Sequence, residues 1–433
     1  MTPGARAAAA IEILDAIEAD RSRPADRLIA AWFRGRRYAG GGDRREIRDL
    51  VYTVSRRRAQ IDWWIERSGG RRDSRGRVLA VLLLEARWGA AQLEAAFDGG
   101  QYRPSPLDRQ ERALTVLAGR PYGDPAQPLD VRCNIPAWLA EPFRVVLGET
   151  MERELAALSE EAPVDLRVNA LKATRRQVMA RLAARGIGAE PTPFAPFGLR
   201  LNARVNLGDT PLLREGLVEP QDESSQIAAL LVEAQPGESV VDFCAGGGGK
   251  SLALAAAMEN RGRLVAADIS RHRLARAAPR LARAGVTCAE QQTLPTDGGY
   301  WRGAEEGGFD RVLVDAPCSG TGTWRRNPEN RWRLGEQELA DYQGLQARIL
   351  DRASRLVAPG GRLVYAVCSL LAMEGEGQIR EFLARNPGFE ALPVRPIWAR
   401  AVAGECPAND VFLRLLPGRE GTDGFFVAVM RRG

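Results

Sequence analysis

From residue 221 onward the chain alternates β-patterned apolar runs with helical ones, and few folds accommodate that rhythm. Strands are expected at Ser239–Phe243, Arg263–Ala267, Arg311–Val314, Arg362–Val367 and Phe425–Met430, with helices over Leu252–Met258, Arg271–Arg283 and Glu338–Leu356 between them. Strands buried on both faces and joined by helices form a parallel sheet, so this half of the chain reads as a doubly wound, Rossmann-like α/β sheet. Ligands of such sheets sit beyond the carboxyl ends of the strands, so residues just past each apolar run come first as site candidates.

The first run, Val240-Val-Asp-Phe243, leads into Cys244, Ala245, Gly246, Gly247, Gly248, Gly249 and Lys250, then an alanine- and leucine-rich helix. Glycines at this turn let backbone amides approach a ligand. A phosphate-binding P-loop fails by one residue, because Cys244 stands where its first glycine belongs. A dinucleotide fingerprint starting at Gly246 fails at Ser251. The second strand ends at Asp268, a carboxylate placed for the two hydroxyls of a ribose. A nucleoside cofactor without a phosphate motif is favoured, which points to S-adenosyl-L-methionine, with NAD and ATP as competitors.

Two further strand ends carry thiols. Arg311-Val-Leu-Val314 runs into Asp315-Ala-Pro-Cys318-Ser-Gly-Thr-Gly322, and Leu363-Val-Tyr-Ala-Val367 runs into Cys368-Ser369. One cysteine past a strand is ordinarily a small core residue. Two, one of them beside Asp315, point to nucleophilic chemistry.

Composition narrows the class. The chain has 433 residues, 45% of them hydrophobic, and no apolar run near the roughly 20 residues of a membrane span. The N-terminus lacks the charged-then-apolar order of a signal peptide, so a cytoplasmic location is expected. The six cysteines at 133, 244, 288, 318, 368 and 406 contain no C-x-x-C pair, which disfavours a zinc knuckle or a disulfide framework. No metal site is expected. The single histidine, His272, leaves histidine-based catalysis and multi-histidine metal centres little to build on.

Residues 1–77 hold 18 arginines, no lysine and 11 acids. Clusters such as Arg56-Arg57-Arg58 suit RNA phosphates. This region has helical periodicity and no strand signal, and Leu79–Leu84, apolar almost all round, reads as the central helix of a bundle. A proline-rich stretch from Pro121 to Pro142 marks a connection. Asp165–Lys172 alternates like a strand and opens a small α+β region. The expected division is 1–135 all-helical, 136–220 linker and α+β subdomain, and 221–433 catalytic domain. Trp324-Arg325-Arg326-Asn327-Pro328 and Trp332 mix aromatic and basic side chains as base-stacking surfaces do.

Taken together, the glycine loop, Asp268, the Asp315–Gly322 stretch, Arg325-Arg-Asn-Pro328, Val367-Cys-Ser369, Pro220-Gln-Asp-Glu-Ser-Ser225 and the closing Asp423-Gly-Phe-Phe426 resemble the RNA (cytosine-5) methyltransferase family. Within it the chain is similar to the bacterial 16S ribosomal RNA enzymes that carry an N-terminal domain like antitermination factor NusB. The resemblance implies methylation of cytosine carbon 5 in RNA, with S-adenosyl-L-methionine as cofactor. It implies that Cys368 attacks carbon 6, that Cys318 helps the adduct break down, and that Asp315, with Lys250 nearby, holds the base. The cofactor would be held by Cys244, Ala245, Gly246 to Gly249, Lys250, Asp268 and Asp315.

The expected partner is 16S ribosomal RNA and the expected state a monomer. Transfer RNA as substrate, or a non-catalytic RNA-binding assembly or antitermination factor, are the alternatives. Three features depart from the family pattern. Gly246 and Gly247 replace Ala-Pro in the loop, Val367 replaces a threonine, and no acid ends the third strand, where Thr287–Leu294 offers only Glu290.

Overall fold

A computed structural model describes residues 1–296, 301, 306–408 and 411–433. The chain forms two compact units, one of Met1–Glu161 with Thr323–Leu334, the other of Ala162–Gly322 with Gly335–Gly433. Among the described residues no helix is long and apolar enough to cross a membrane.

The first unit is helical. The helix Ser74–Leu84 is buried at all but one of its positions and lies among Pro3–Ala19, Gly41–Arg56 and Arg58–Arg67. Its all-round apolar sequence requires such a central place. The short helices Leu129–Arg132, Ala140–Leu147 and Met151–Ala157 also belong here, so this unit extends well past residue 135.

Thr323–Leu334 is inserted into the same unit, which corrects the expectation of an exposed stacking surface. Trp324 is fully buried, edge-on to Phe143 at 5.6 Å between ring centroids. The Arg331 guanidinium lies over the Trp324 ring and is likewise fully buried. It donates to the main-chain carbonyls of Asn134 (2.8 Å) and Leu158 (3.2 Å) and to Ser159 Oγ (3.1 Å). Burial, aided by the nearby Arg57 and Arg56 charges, pulls its pKa down to about 9. Trp332 is half-buried and donates to the Ser55 carbonyl. The aromatic and basic side chains that look like an RNA platform therefore knit the segment into a helix bundle.

In the second unit, β1 (Val164–Val168), β2 (Ala189–Pro191), β3 (Gly198–Leu201) and β4 (Val218–Pro220) make an antiparallel sheet in the order β2-β3-β1-β4. Strand β1 ends at Val168, short of the expected Lys172, because Asn169 and Lys172 turn away to bond elsewhere. Asn169 Nδ2 donates to the Gly216 and Ala284 carbonyls, and Lys172 Nζ to those of Glu215 and Arg283. These contacts fasten the small sheet to the helix Arg271–Ala284.

The large sheet comprises β5 (Ser239–Asp242), β6 (Arg263–Asp268), β7 (Ala289–Thr293), β8 (Phe309–Asp315), β9 (Val357–Val367), β10 (Phe389–Ala391), β11 (Phe412–Leu415) and β12 (Phe425–Arg432). Its order is β10-β12-β9-β8-β5-β6-β7, with β11 on β12. Strands β5 to β9 are parallel, while β10, β11 and β12 add antiparallel pairs. The chain runs β5, β6, β7 in one direction and then crosses to the other side of β5. This reversal creates a crevice between the carboxyl ends of β5 and β8.

Replacing Arg331 with alanine removes its hydrogen bonds and leaves a cavity, so the first unit should lose about 3 kcal/mol of stability. Urea unfolding of Arg331→Ala would measure this, and a loss under about 1 kcal/mol would contradict a structural role.

Candidate active site

Each site candidate lies at or just past a strand's carboxyl end, or on the helix that follows. Asp242 closes β5, Asp268 closes β6 and Asp315 closes β8, while Cys368 directly follows β9. The register sets Asp315 opposite Ala366, two residues before Cys368. Beside Asp268 the register places Thr293, while Glu290 lies further back and pairs with Arg263. The strand end next to Asp268 thus has a hydroxyl where the family pattern has an acid.

The glycine loop joins β5 to the helix Gly249–Ala257. Gly248 caps that helix at φ +80°, and a Cβ there would stand 2.9 Å from the Ala277 Cβ, so both conformation and space call for glycine. Arg280 donates to the Gly247 carbonyl and pairs with Glu219, which ties down a loop that lacks proline. Cys244 and Ala245 begin the loop, and burial raises the Cys244 thiol well above its usual range.

Asp268 is buried and anchors this loop to the next. Its Oδ2 accepts the Gly246 N–H at 2.9 Å and its Oδ1 the Ser270 N–H at 2.7 Å. Each carboxylate oxygen keeps capacity for another donor.

On the other side of β5, Lys250 Nζ bonds Asp315 Oδ2 at 2.7 Å, with the ammonium 5.1 Å from the centre of the Phe425 ring. Lys250 is buried, while the Asp315 side chain remains one-third exposed. This lysine therefore orients a carboxylate that still faces the crevice.

The two thiols meet. Cys318 Sγ lies 3.4 Å from Cys368 Sγ. The Cys318 thiol is raised well above its ordinary range, first by its hydrogen bond to Cys368, then by burial, and further by the Cys368 and Glu374 charges. Cys318 is thus held protonated, and either sulfur can donate in their contact.

Sequence reasoning missed Glu374, a fully buried carboxylate behind both cysteines. It accepts from Ser319 N–H, Ser319 Oγ, Ser369 Oγ and Gln346 Nε2. The one available signal was that a serine follows each cysteine, and serines in adjacent turns can share an acceptor.

The sequence profile of the 16S rRNA methyltransferase RsmB/F family matches residues 229–431, and that of an RsmF/B-like ferredoxin-like domain matches residues 135–208. Ribosomal RNA small subunit methyltransferase B of Salmonella paratyphi B is 34% identical over 302 residues, 69% of this chain and 66% of that protein.

The chain belongs to the RsmB/F family.

The aligned region spans slightly under two thirds of that curated relative. Among solved structures, PH0851 superimposes with a TM-score of 0.78 at 26% identity, covering 100% of this chain and 99% of the other. A methyltransferase homolog protein from Pyrococcus horikoshii gives 0.59 at 30% identity, covering 70% and 97%. These likenesses establish the Rossmann-like methyltransferase architecture with its helical N-terminal region.

Asp242 is fully buried, with Oδ2 accepting the Ser251 hydroxyl at 2.7 Å and Oδ1 lacking a hydrogen-bond partner. Burial, with the Asp315 and Asp268 charges adding to it, lifts its pKa to about 7. The folded pKa exceeds the unfolded one, so the stabilisation is complete below about pH 4 and disappears as pH rises through about 7. Asp242→Asn should therefore gain on the wild type in thermal midpoint from about pH 5 to about pH 8. A midpoint difference that stays flat with pH would refute the shift.

Proposed function

We propose that this chain methylates carbon 5 of a cytosine in RNA, with 16S ribosomal RNA as the substrate and S-adenosyl-L-methionine as the methyl donor. The observation behind the reading is the pair of touching thiols at adjacent strand ends, one of them held protonated. Family membership and the names of the relatives support the RNA substrate.

The residues in the crevice suit this cofactor. Asp268 and Asp315 stand at the strand ends on either side of the glycine loop and offer carboxylate oxygens to the donors of a nucleoside, and Lys250 keeps Asp315 in place. The glycine loop and Asp268 would hold the nucleoside part. When bound, S-adenosyl-L-methionine supplies an electrophilic methyl group on a cationic sulfur.

The chain's own residues prepare the base. Carbon 5 of cytosine is a weak nucleophile until a thiolate adds to carbon 6. Cys368 forms that carbon–sulfur bond, and the electrons of the 5,6 double bond move toward carbon 5 and the ring nitrogen N3, while Asp315 accepts from the exocyclic amine beside N3 and holds the base in place. Lys250 keeps Asp315 aimed there. Once Cys368 is a thioether it no longer offers Cys318 the hydrogen bond or the charge that raised it, so Cys318 can give its proton to solvent and then accept the one on carbon 5. Loss of that proton restores the double bond and expels Cys368. The base must be unstacked to reach the thiols.

The Arg56-Arg57-Arg58 cluster has other partners, since Arg57 pairs with Glu160 and Arg58 with Glu18 and Asp62. Exposed Arg34 and Arg37, beside exposed Tyr38, are better placed for RNA phosphates.

Asp268→Ala should weaken S-adenosyl-L-methionine by about 1.5–3 kcal/mol in calorimetry, the cost of a charged hydrogen bond, and unchanged affinity would move the ribose elsewhere.

The thiols can be separated by trapping. Cys368→Ala should give neither methyl transfer nor a covalent RNA complex. Cys318→Ala should form the complex and fail to release it, leaving a band on denaturing gels that survives heating. If Cys368→Ala traps RNA instead, the roles are reversed.

A further inference from the structure

Cys318 and Cys368 sit on separate turns, 50 residues apart in sequence, yet their sulfurs touch. Strand pairing brings β8 and β9 together up to Asp315 and Ala366, but both cysteines lie beyond the last ladder pair. A main-chain bond from Gly322 N–H to the Cys368 carbonyl joins the two turns, and Cys318 lies four residues before Gly322.

The group that spans them is Glu374, on the loop beyond Cys368. Its Oε1 accepts the Ser319 N–H at 2.8 Å and Gln346 Nε2 at 2.9 Å. Its Oε2 accepts the Ser319 hydroxyl and, at 2.6 Å, the Ser369 hydroxyl. Ser319 adjoins Cys318 and Ser369 adjoins Cys368, so one carboxylate grips both nucleophile-bearing turns. The network is closed around it. Ser369 Oγ lies 3.1 Å from Thr321 Oγ1 and accepts the Leu371 N–H, Thr321 Oγ1 accepts the Leu370 N–H, and Gln346 Nε2 also donates to the Pro317 carbonyl. The Tyr365 hydroxyl pins the Glu374 carbonyl at 2.8 Å.

Four donors converge on one carboxyl group, and in the ionised form its two oxygens can accept from all of them. Among the described residues no cation bonds these oxygens. A buried negative charge satisfied only by dipoles is costly to a fold. A neutral residue could supply packing alone. The charge is useful where it stands, because it adds to the influences that keep the Cys318 proton in place.

We propose that Glu374 is a positioning residue that clamps the Cys318 and Cys368 turns together. This rests on the reading of Cys368 as the nucleophile. Glu374 does not touch the substrate. It acts through the two serines, and a sulfur displaced by about 1 Å would cost roughly 100-fold in rate.

Glu374→Gln keeps the shape and removes the charge. It should retain cofactor affinity and KM for RNA within about twofold, while kcat falls about 100-fold. Its pH–rate profile should change as well. Without the negative charge the Cys318 thiol ionises at lower pH, so the alkaline limb moves down. A loss of fold alone would lower the active fraction and leave that limb where it is.

Should Glu374→Gln fail to fold, Ser319→Ala with Ser369→Ala removes two anchors and leaves the carboxylate, and should lower kcat without moving KM. Wild-type turnover and an unshifted profile in the variant that folds would overturn the proposal. A trapping assay distinguishes this from failure of the underlying reading. If Cys318→Ala accumulates RNA adduct and Cys318→Ala/Glu374→Gln accumulates it equally fast, the clamp is wrong and Cys368 stands. If Cys318→Ala traps nothing, the nucleophile assignment fails, and Glu374 is then judged on kcat and the pH profile of Glu374→Gln alone.

Discussion

The pairing of β8 between β5 and β9 is the constraint on which the chemistry of this protein depends. Parallel hydrogen bonding on both sides brings three loops to one edge: the glycine loop, the Asp315–Gly322 turn and the Cys368 turn. The antiparallel β12 adds a fourth, because Gly424 N–H donates to the Gly322 carbonyl while Gly322 N–H donates to that of Cys368. A Cβ at Gly322 would collide with the Gly424 backbone, so the loops close only because that residue is glycine. The strands themselves are an apolar core of Val, Leu and Ala. Their contribution to catalysis is to fix the origins of the loops within the spacing of a ladder, roughly 4.8 Å between strands.

Loop origin alone does not set sulfur positions. Beyond the ladder the main chain adds the bond from Gly322 N–H to the Cys368 carbonyl, and the side-chain network around Glu374 fixes the turns between. The order of constraint is therefore main-chain pairing first, then a buried carboxylate, then contact between thiols. Electrostatics follows the same hierarchy. Lys250 is committed to Asp315, while Asp242 and Asp268 bond to neutral donors, with Arg273 3.6 Å from Asp268. Three cations, Lys250, Arg273 and Arg280, thus stand among these carboxylates, and Asp268 and Asp315 keep capacity to accept from a ligand's donors.

The parts of the site that are legible in the sequence are those where chemistry and punctuation coincide. An apolar run, then Cys244-Ala-Gly, or Asp315-Ala-Pro-Cys318, places a functional group at a strand end without any knowledge of the sheet. Glu374 is illegible because its partners come from two distant turns, and only the fold makes Ser319 and Ser369 neighbours. Strand β7 is illegible from its pattern, and only the family resemblance points to it. Ala289-Glu-Gln-Gln-Thr293 is a polar edge strand held by β6 on one side, so it has neither apolar alternation nor a continuous apolar run.

Thr323–Leu334 shows where local reading inverts. Tryptophan and arginine serve both nucleic-acid surfaces and buried joints, since each combines a large apolar body with polar hydrogen-bonding groups. Composition cannot choose between these uses. Burial does, and Arg331 is bound by the carbonyls of Asn134 and Leu158, where the helix Met151–Ala157 has just ended. Carbonyls left over at a helix C-terminus carry partial negative charge and need donors. A guanidinium supplies several at once, so Arg331 can be buried without a carboxylate. The chain leaves the catalytic sheet four residues after Cys318, spends twelve residues inside the helical unit, and returns at Gly335 to begin the helix Glu336–Ser354 that supplies Gln346 to Glu374. The insertion is thus bounded on both sides by the network that holds the thiols.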